Sequence, residues 1–130
     1  MLILAIETSC DETAVSVVKG RSGPRFRVLA HIVSSQVKLH APWGGVIPSL
    51  AKREHGKNLI PVLEKALEKA KLISHIKATP WGAKGVALGS IKKILEREPE
   101  LLKRFLKFIP TIAVPKIDAI AVTYGPGLEP

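Results

Sequence analysis

The chain has 130 residues, of which 46% are hydrophobic and 24% charged, and its formal net charge is +9. These values are typical of a globular domain and exclude a disordered or low-complexity segment. No apolar run approaches the roughly 20 residues of a membrane span, and the single cysteine excludes an intrachain disulfide. We therefore expect a cytoplasmic protein with no membrane partner, in a reducing compartment.

The positive charge is unevenly distributed. Residues 1–18 contain three carboxylates and no basic side chain, whereas residues 71–116 contain ten Lys or Arg against three Glu. A basic surface of this kind favours a polyanionic partner such as tRNA, which it would contact through the phosphates. The alternative is an ordinary solvated helix face.

The N-terminus predicts a β-hairpin around an unusually polar turn. Residues 1–6 are continuously apolar, like a buried strand, and residues 14–18 alternate, like a half-buried strand. The turn between them, ETSCDET at residues 7–13, has three carboxylates and three hydroxyls. Such a turn could hold a nucleotide phosphate through N–H groups, hydroxyls and a metal ion. The alternative is a plain solvated turn.

The next part of the chain predicts a strand, a loop and a long helix. Residues 28–33 indicate a third strand, and residues 34–45 a loop. An amphipathic helix begins near Pro48, with apolar residues at helical spacing. Gly56 and Pro61 interrupt this pattern, so we expect either a kink or two abutting helices.

Two histidines fall in or near this helix. His55 is either a partly buried side chain on the helix face or part of a cleft. The role of His40, in the preceding loop, is equally undetermined by the sequence. No two of the four histidines are four residues apart, so the sequence has no H-x-x-x-H metal pair.

The basic middle of the chain, residues 72–116, predicts two helices. Ser90 is expected to cap the first, and Pro99 to open the second, which is basic and amphipathic. The second helix could pack on its own domain, bind tRNA, meet a partner helix or touch an acidic membrane surface. Packing on the domain is the default expectation.

The C-terminal stretch predicts a strand followed by a glycine-rich loop. Residues 117–122 indicate a buried strand, and the loop after it contains Gly125, Pro126 and Gly127. The glycines allow the backbone to approach a ligand closely, and the proline stiffens the loop. Since ligands of open α/β sheets bind beyond the carboxyl ends of strands, this loop is a candidate cleft floor.

Four stretches of the chain, taken in order, resemble the TsaD family of tRNA threonylcarbamoyladenosine synthases, formerly called glycoproteases or O-sialoglycoprotein endopeptidases. The stretches are residues 6–13, 35–40, 44–55 and 117–128. The resemblance covers roughly residues 1–70 and 117–130, and the middle of the chain departs from it.

The resemblance implies an α/β fold: part of an actin-like or sugar-kinase-like (ASKHA) ATPase lobe. In this lobe a β-meander is followed by a helix and a further strand. Residues 1–130 would then be an incomplete N-terminal lobe, and residues 72–116 a basic helical insertion within it. The family activity is transfer of a threonylcarbamoyl group from its adenylate to N6 of the adenosine beside the tRNA anticodon. The implied partners are tRNA, threonylcarbamoyl-adenylate and the other proteins of the threonylcarbamoylation complex.

The resemblance also implies roles for individual residues. Glu7, Ser9 and Cys10 fall on the first phosphate-loop positions, and Asp11 and Glu12 on acidic residues needed for activity. A carboxylate there could take the proton from the attacking amine, or orient metal and phosphate. Residues 125–127 fall on the cleft loop.

The family also implies one iron or zinc ion and an ATP or adenylate ligand. Its metal ligands, a histidine pair and a later aspartate, have no counterpart in this chain. We therefore expect the chain alone to be inactive, with exposed apolar sheet edges and poor solubility or marginal stability.

Two other classes of protein remain open. One is a non-catalytic paralogue that only dimerises with the synthase, although Asp11 and Glu12 argue against it. The other is a sugar or acetate kinase of the same fold, whose opening usually has Asp-x-Gly where this chain has residues 7–9. The chain contains no protease constellation that would support the older family name.

Overall fold

The computed structural model describes residues 1–20, 25–74 and 88–125. Its four strands form one sheet in the order β3-β2-β1-β4. The strands are β1 (Leu2–Glu7), β2 (Glu12–Gly20), β3 (Phe26–Ser35) and β4 (Ala119–Val122). The first three form the expected antiparallel meander, and β4 pairs in parallel with β1. The predicted α/β class is confirmed, and the arrangement is consistent with part of an actin-like lobe.

Four helices accompany the sheet in the part of the chain that the structure describes. They are α1 (Val37–His40), α2 (Pro48–Lys69), α3 (Leu88–Ile94) and α4 (Pro99–Phe108). The loop predicted at residues 34–45 therefore contains the short α1, which a 3₁₀ turn follows at Ala41–Trp43. No helix among the described residues is both long enough and apolar enough to cross a membrane.

The core lies between the sheet and α2. Val15 and Val17 on β2 are fully or almost fully buried, and α2 contacts both β2 and β3. Because the strand period is two, Val15 and Val17 share one face of the sheet with their partners Ile6 and Leu4 on β1. Ala66 and other apolar residues of α2 complete this core. The alternating pattern of β2 and the helical pattern of α2 thus meet at one surface.

α2 is one continuous helix of 22 residues that contains Pro61. The alternative of two abutting helices is therefore wrong. Proline removes one backbone hydrogen bond and disturbs the preceding turn. The buried face of α2 runs through this point, with Ile60 and Val62 both buried. Burial on both sides of the proline holds the two halves in one helix.

The C-terminus of α2 is closed by a Schellman motif. Lys71 has a left-handed backbone with φ of 57°. The N–H of Lys71 donates to the carbonyl of Glu68 at 2.8 Å, and the N–H of Leu72 donates to that of Leu67 at 2.9 Å. These two bonds satisfy carbonyls that a helix end otherwise leaves free.

The basic middle segment packs on the domain through α4. Phe108 is buried, and Phe105 and Ile109 pack beside it against the core. Pro99 opens this helix as predicted, and the default expectation of packing on the domain is confirmed for it. The cap predicted at Ser90 is wrong, since α3 begins two residues earlier, at Leu88. The proposed insertion boundaries at residues 72–116 stay a prediction.

The strand predicted as buried at residues 117–122 is an exposed edge strand. Ile120 is 66% exposed and Val122 64% exposed. Both lie opposite β1 residues that belong to the core face, Leu4 and Ile6. Because α2 lies over β2 and β3, it does not cover β4. The prediction of burial is wrong for this reason, whereas the expected exposed apolar sheet edge is found here.

Candidate functional site

The parallel pairing of β1 and β4 brings two polar loops together. Since both strands run in the same direction, the residues after Glu7 and those after Val122 emerge at one edge of the sheet. The N–H of Thr123 donates to the carbonyl of Ile6 at 3.1 Å, which extends the pairing past the end of β4. This edge is where ligands bind in open α/β sheets.

Glu7 joins the two loops. Its Oε1 accepts a hydrogen bond from the N–H of Ser9 at 2.7 Å and another from the Ser9 hydroxyl. Its Oε2 accepts one from the hydroxyl of Thr123. The Ser9 hydroxyl is the main cause that lowers the pKa of Glu7 from its ordinary value of 4.5, followed by the Thr123 hydroxyl. Burial opposes this shift, and the N–H of Ser9 and the electrostatic effect of His55 contribute less.

The turn between β1 and β2 has a constrained backbone. Cys10 has a φ of 50°, in the left-handed region that residues with a side chain rarely adopt. The N–H of Glu12 donates to the carbonyl of Ser9 at 3.4 Å, and the N–H of Gln36 donates to that of Asp11 at 2.7 Å. The turn is therefore held both by its own atoms and by the residue that precedes α1.

His55 on α2 contacts the same turn from the other side. Its Nε2 lies 3.2 Å from the carbonyl oxygen of Cys10. Its Nδ1 lies 2.8 Å from Oγ1 of Thr13 and 3.3 Å from Nε2 of Gln36. Gln36 in turn contacts the buried His40, with Oε1 3.1 Å from the histidine Nε2. Both histidines thus belong to one polar network that the turn completes.

A cleft of about 420 Å³ opens between this turn, α2 and the start of α4. An ion pair between Lys52 and Glu98, 2.8 Å apart, forms part of its wall. Its other described lining residues are Thr8, Ser9, Cys10, Pro48, Ala51, His55, Gly56, Leu59, Leu101, Thr123, Tyr124 and Gly125. Its volume lies within the range of small-molecule sites, and its lining includes both apolar and polar residues.

Comparison with known proteins identifies the segment. The family model described as TsaD: tRNA N6-adenosine threonylcarbamoyltransferase matches residues 27–78. A tRNA N6-adenosine threonylcarbamoyltransferase of Syntrophobacter fumaroxidans is 36% identical over 128 residues, which cover 98% of this chain and 25% of that relative. These matches support assignment of the chain to the TsaD family.

Shorter matches agree with this assignment. The relative of the same name from Persephonella marina is 57% identical over 72 residues, covering 55% of this chain and 20% of the relative. One from Prochlorococcus marinus is 46% identical over 95 residues, covering 68% of this chain and 26% of the relative. The chain spans about a fifth to a quarter of the length of the curated TsaD relatives it matches.

The structure brings together only some of the residues that the TsaD resemblance suggested. Ser9, Cys10 and Gly125 line the cleft, and Glu7 joins the loops behind it. Pro126 and Gly127 lie outside the described residues. The roles assigned to all of these residues stay predictions.

The two candidate catalytic carboxylates do not line the cleft. Asp11 is half-buried and Glu12 is exposed at the start of β2, and neither is among the described residues that line the cleft. Their part in catalysis stays a prediction.

Sequence reasoning missed three residues of the site. In the sequence, Thr123 is only the first residue of the glycine-rich loop, Gln36 is only part of a stretch that resembles the family, and Thr13 is only one of three hydroxyls in the polar turn. Gln36 and His40 are four residues apart, which places side chains on one face of a helical turn. Thr13 has no comparable signal in the sequence, because only the packing of β2 against α2 brings its buried hydroxyl close to His55.

The described residues do not fit the iron or zinc ion that the TsaD family implies. Residues 1–20, 25–74 and 88–125 contain no cluster of three or more His, Cys, Asp or Glu side chains that could hold a metal ion. A metal site needs three or four such ligands.

Proposed function

We propose that the protein containing this segment transfers a threonylcarbamoyl group from threonylcarbamoyl-adenylate to N6 of the adenosine beside the anticodon of tRNA. The names of the relatives support transfer of a threonylcarbamoyl group to N6 of an adenosine in tRNA. Because the chain spans a fifth to a quarter of their length, the proposal concerns the full-length protein. We propose that it acts in the cytoplasm with the other proteins of the threonylcarbamoylation complex.

One observation supports the proposal: the cleft lies where the turn between β1 and β2 meets the loop that follows β4. Ser9 and Cys10 come from the first, and Thr123 and Gly125 from the second. Two loops at the carboxyl ends of neighbouring parallel strands can form a nucleotide-binding site. The volume of about 420 Å³ suits part or all of an adenylate.

We assign Glu7 to holding the loops in shape rather than to contacting the phosphate. Both donors of Ser9 and the hydroxyl of Thr123 already bond to this carboxylate. A carboxylate and a phosphate also repel each other at short distance. Glu7 therefore supports the two loops, while Cys10 and Gly125 line the cleft itself.

Asp11 and Glu12 supply the acid–base chemistry in this proposal. One carboxylate takes the proton that the N6 amine loses as it attacks the threonylcarbamoyl carbonyl, and the other orients the reacting groups. Glu12 is the more exposed of the two, so it is the more accessible to a tRNA base. The reaction forms the bond from N6 to the carbonyl carbon and releases adenosine monophosphate.

The test is a transfer assay on the full-length protein with its partner proteins, threonylcarbamoyl-adenylate and tRNA. The modified nucleoside is measured by mass spectrometry after digestion of the tRNA. Loss of a general base is expected to lower kcat by about 100-fold or more, so Glu12→Gln or Asp11→Asn should do so. Glu100→Gln, at an exposed position on α4, is the matched control. Wild-type protein that forms no modified nucleoside, or full activity in both variants, would overturn the proposal.

A further inference from the structure

We propose that His40, Gln36 and His55 form a directional hydrogen-bond relay. It positions the backbone of the turn between β1 and β2, which contains Cys10, for adenylate binding. The three are positioning residues in this proposal, since they act on the ligand through the turn. The adenylate part rests on the proposed function, whereas the direction of the relay can be tested without it.

The direction of the relay starts at the N–H of Ile47. An N–H can only donate, and it lies 3.3 Å from Nδ1 of His40, so this nitrogen accepts. In the neutral ring the proton is then on Nε2, which donates to Oε1 of Gln36 at 3.1 Å. This bond orients the amide so that its NH₂ group points to His55.

The second half of the relay ends at Cys10. Nε2 of Gln36 donates to Nδ1 of His55 at 3.3 Å, so the proton of His55 is on Nε2. That Nε2 lies 3.2 Å from the carbonyl oxygen of Cys10, which can only accept. The N–H of Ile47 can only donate and the carbonyl of Cys10 can only accept. Both ends therefore require that every hydrogen bond of the relay is donated in the direction from Ile47 to Cys10.

Thr13 and the backbone of Gln36 are compatible with this direction. The hydroxyl of Thr13 also lies 2.8 Å from Nδ1 of His55, and in the relay it is a second donor to this nitrogen, since a hydroxyl can donate as well as accept. The N–H of Gln36 holds the next carbonyl of the turn, that of Asp11, at 2.7 Å. Gln36 therefore controls two successive carbonyls, one directly and one through His55.

Burial makes the relay sensitive to each link. Thr13 is 0% exposed, His40 3% and Gln36 4%, so a broken link leaves a buried polar atom without a partner. Cys10 also holds a left-handed backbone that needs support from its surroundings. Since Cys10 and His55 both line the cleft, a shift of the turn changes the cleft wall directly.

The first experiment measures the tautomers of His40 and His55 in the full-length protein by ¹⁵N chemical shifts, with each ring assigned by substitution. We expect both protons on Nε2. A proton on Nδ1 of His55 would overturn the relay. In Gln36→Glu the new carboxylate can only accept, so we expect it to move the His55 proton to Nδ1, facing it. An unchanged His55 tautomer in this variant would also contradict the relay.

The second experiment uses two matched substitutions at His55. In His55→Gln the side-chain NH₂ group takes the place of Nε2 and can donate to Cys10. In His55→Asn the side-chain oxygen takes the place of Nδ1 and can accept from Thr13, but no donor reaches Cys10. Adenosine monophosphate is the probe, and its Kd for each variant is measured by calorimetry.

Loss of one hydrogen bond corresponds to about tenfold in affinity, so we expect His55→Asn to weaken binding about tenfold. His55→Gln should change it by less than about threefold. Equal weakening in two variants of equal melting temperature would show that the ring only fills space. If the wild-type protein binds no adenosine monophosphate, the proposed function fails, and the tautomer experiment alone decides on the relay.

Discussion

Replacing Glu7 by Gln tests whether this carboxylate joins the β1 and β4 loops. The substitution keeps the shape of the side chain and removes its charge. Glu7 accepts bonds from the N–H and hydroxyl of Ser9 and from the hydroxyl of Thr123. The glutamine retains one accepting oxygen and places an NH₂ group where the other oxygen was, so at least one of these bonds is lost or reversed.

The expected loss follows from these three bonds. A hydrogen bond to a charged group contributes about 1.5–3 kcal/mol and one between neutral groups about 0.5–1.5 kcal/mol. Because Glu7 is only half-buried, solvent screens part of this difference. We therefore expect Glu7→Gln to lower the free energy of unfolding by about 1–2 kcal/mol at pH 7.

The pH dependence gives the sharper result. The pKa of Glu7 is lowered in the folded protein, so its contribution is present above about pH 4.5 and is lost as pH falls through the folded-state value. Urea unfolding of the full-length protein should therefore show a difference between wild type and Glu7→Gln at pH 7 that shrinks at lower pH. Glu12→Gln, at an exposed position nearby, should not reproduce this pattern. An equal difference at every pH would refute the reasoning.

Three further predictions concern the helices. Lys71→Gly should raise the free energy of unfolding by about 0.5–1 kcal/mol, because glycine adopts the left-handed backbone without strain. Lys65→Gly, at an exposed position inside α2, should lower it by about 1 kcal/mol. Phe108→Ala should lower it by about 3–5 kcal/mol by opening a cavity beside α2, whereas Phe26→Ala, at 70% exposure, should change it by less than about 0.5 kcal/mol. The two glycine variants and the two Phe→Ala variants are each compared by urea unfolding. Equal effects within either pair would contradict the prediction for that pair. Reversing four exposed charges of α3 and α4 should weaken tRNA binding and flatten its dependence on salt, measured by filter binding, if these helices contact phosphates. The residues are Lys92, Lys93, Lys103 and Arg104. The same change at Lys65 and Lys69 of α2 is the control, and an unchanged salt slope in the four-residue variant would remove α3 and α4 from the tRNA surface.

The sequence by itself predicted the local elements and the resemblance to the TsaD family. The apolar run of β1, the alternation of β2 and the proline that opens α4 each act over a few residues, so a local pattern is enough to find them. The turn at residues 7–13 was recognised as polar and unusual for the same reason. Its resemblance to TsaD then indicated which of its residues to examine.

Tertiary structure decided what the local pattern could not. Residues 119–122 are apolar enough for a buried strand, but whether a helix covers them depends on where α2 lies over the sheet. Pro61 is unfavourable in a helix, but burial of Ile60 and Val62 on either side of it keeps α2 in one piece. The relay from His40 to Cys10 likewise depends on a contact between His55 and Cys10, which are 45 positions apart. Such contacts form only when β2, α1 and α2 pack together, because hydrogen bonds depend on distances in space rather than on separation along the chain.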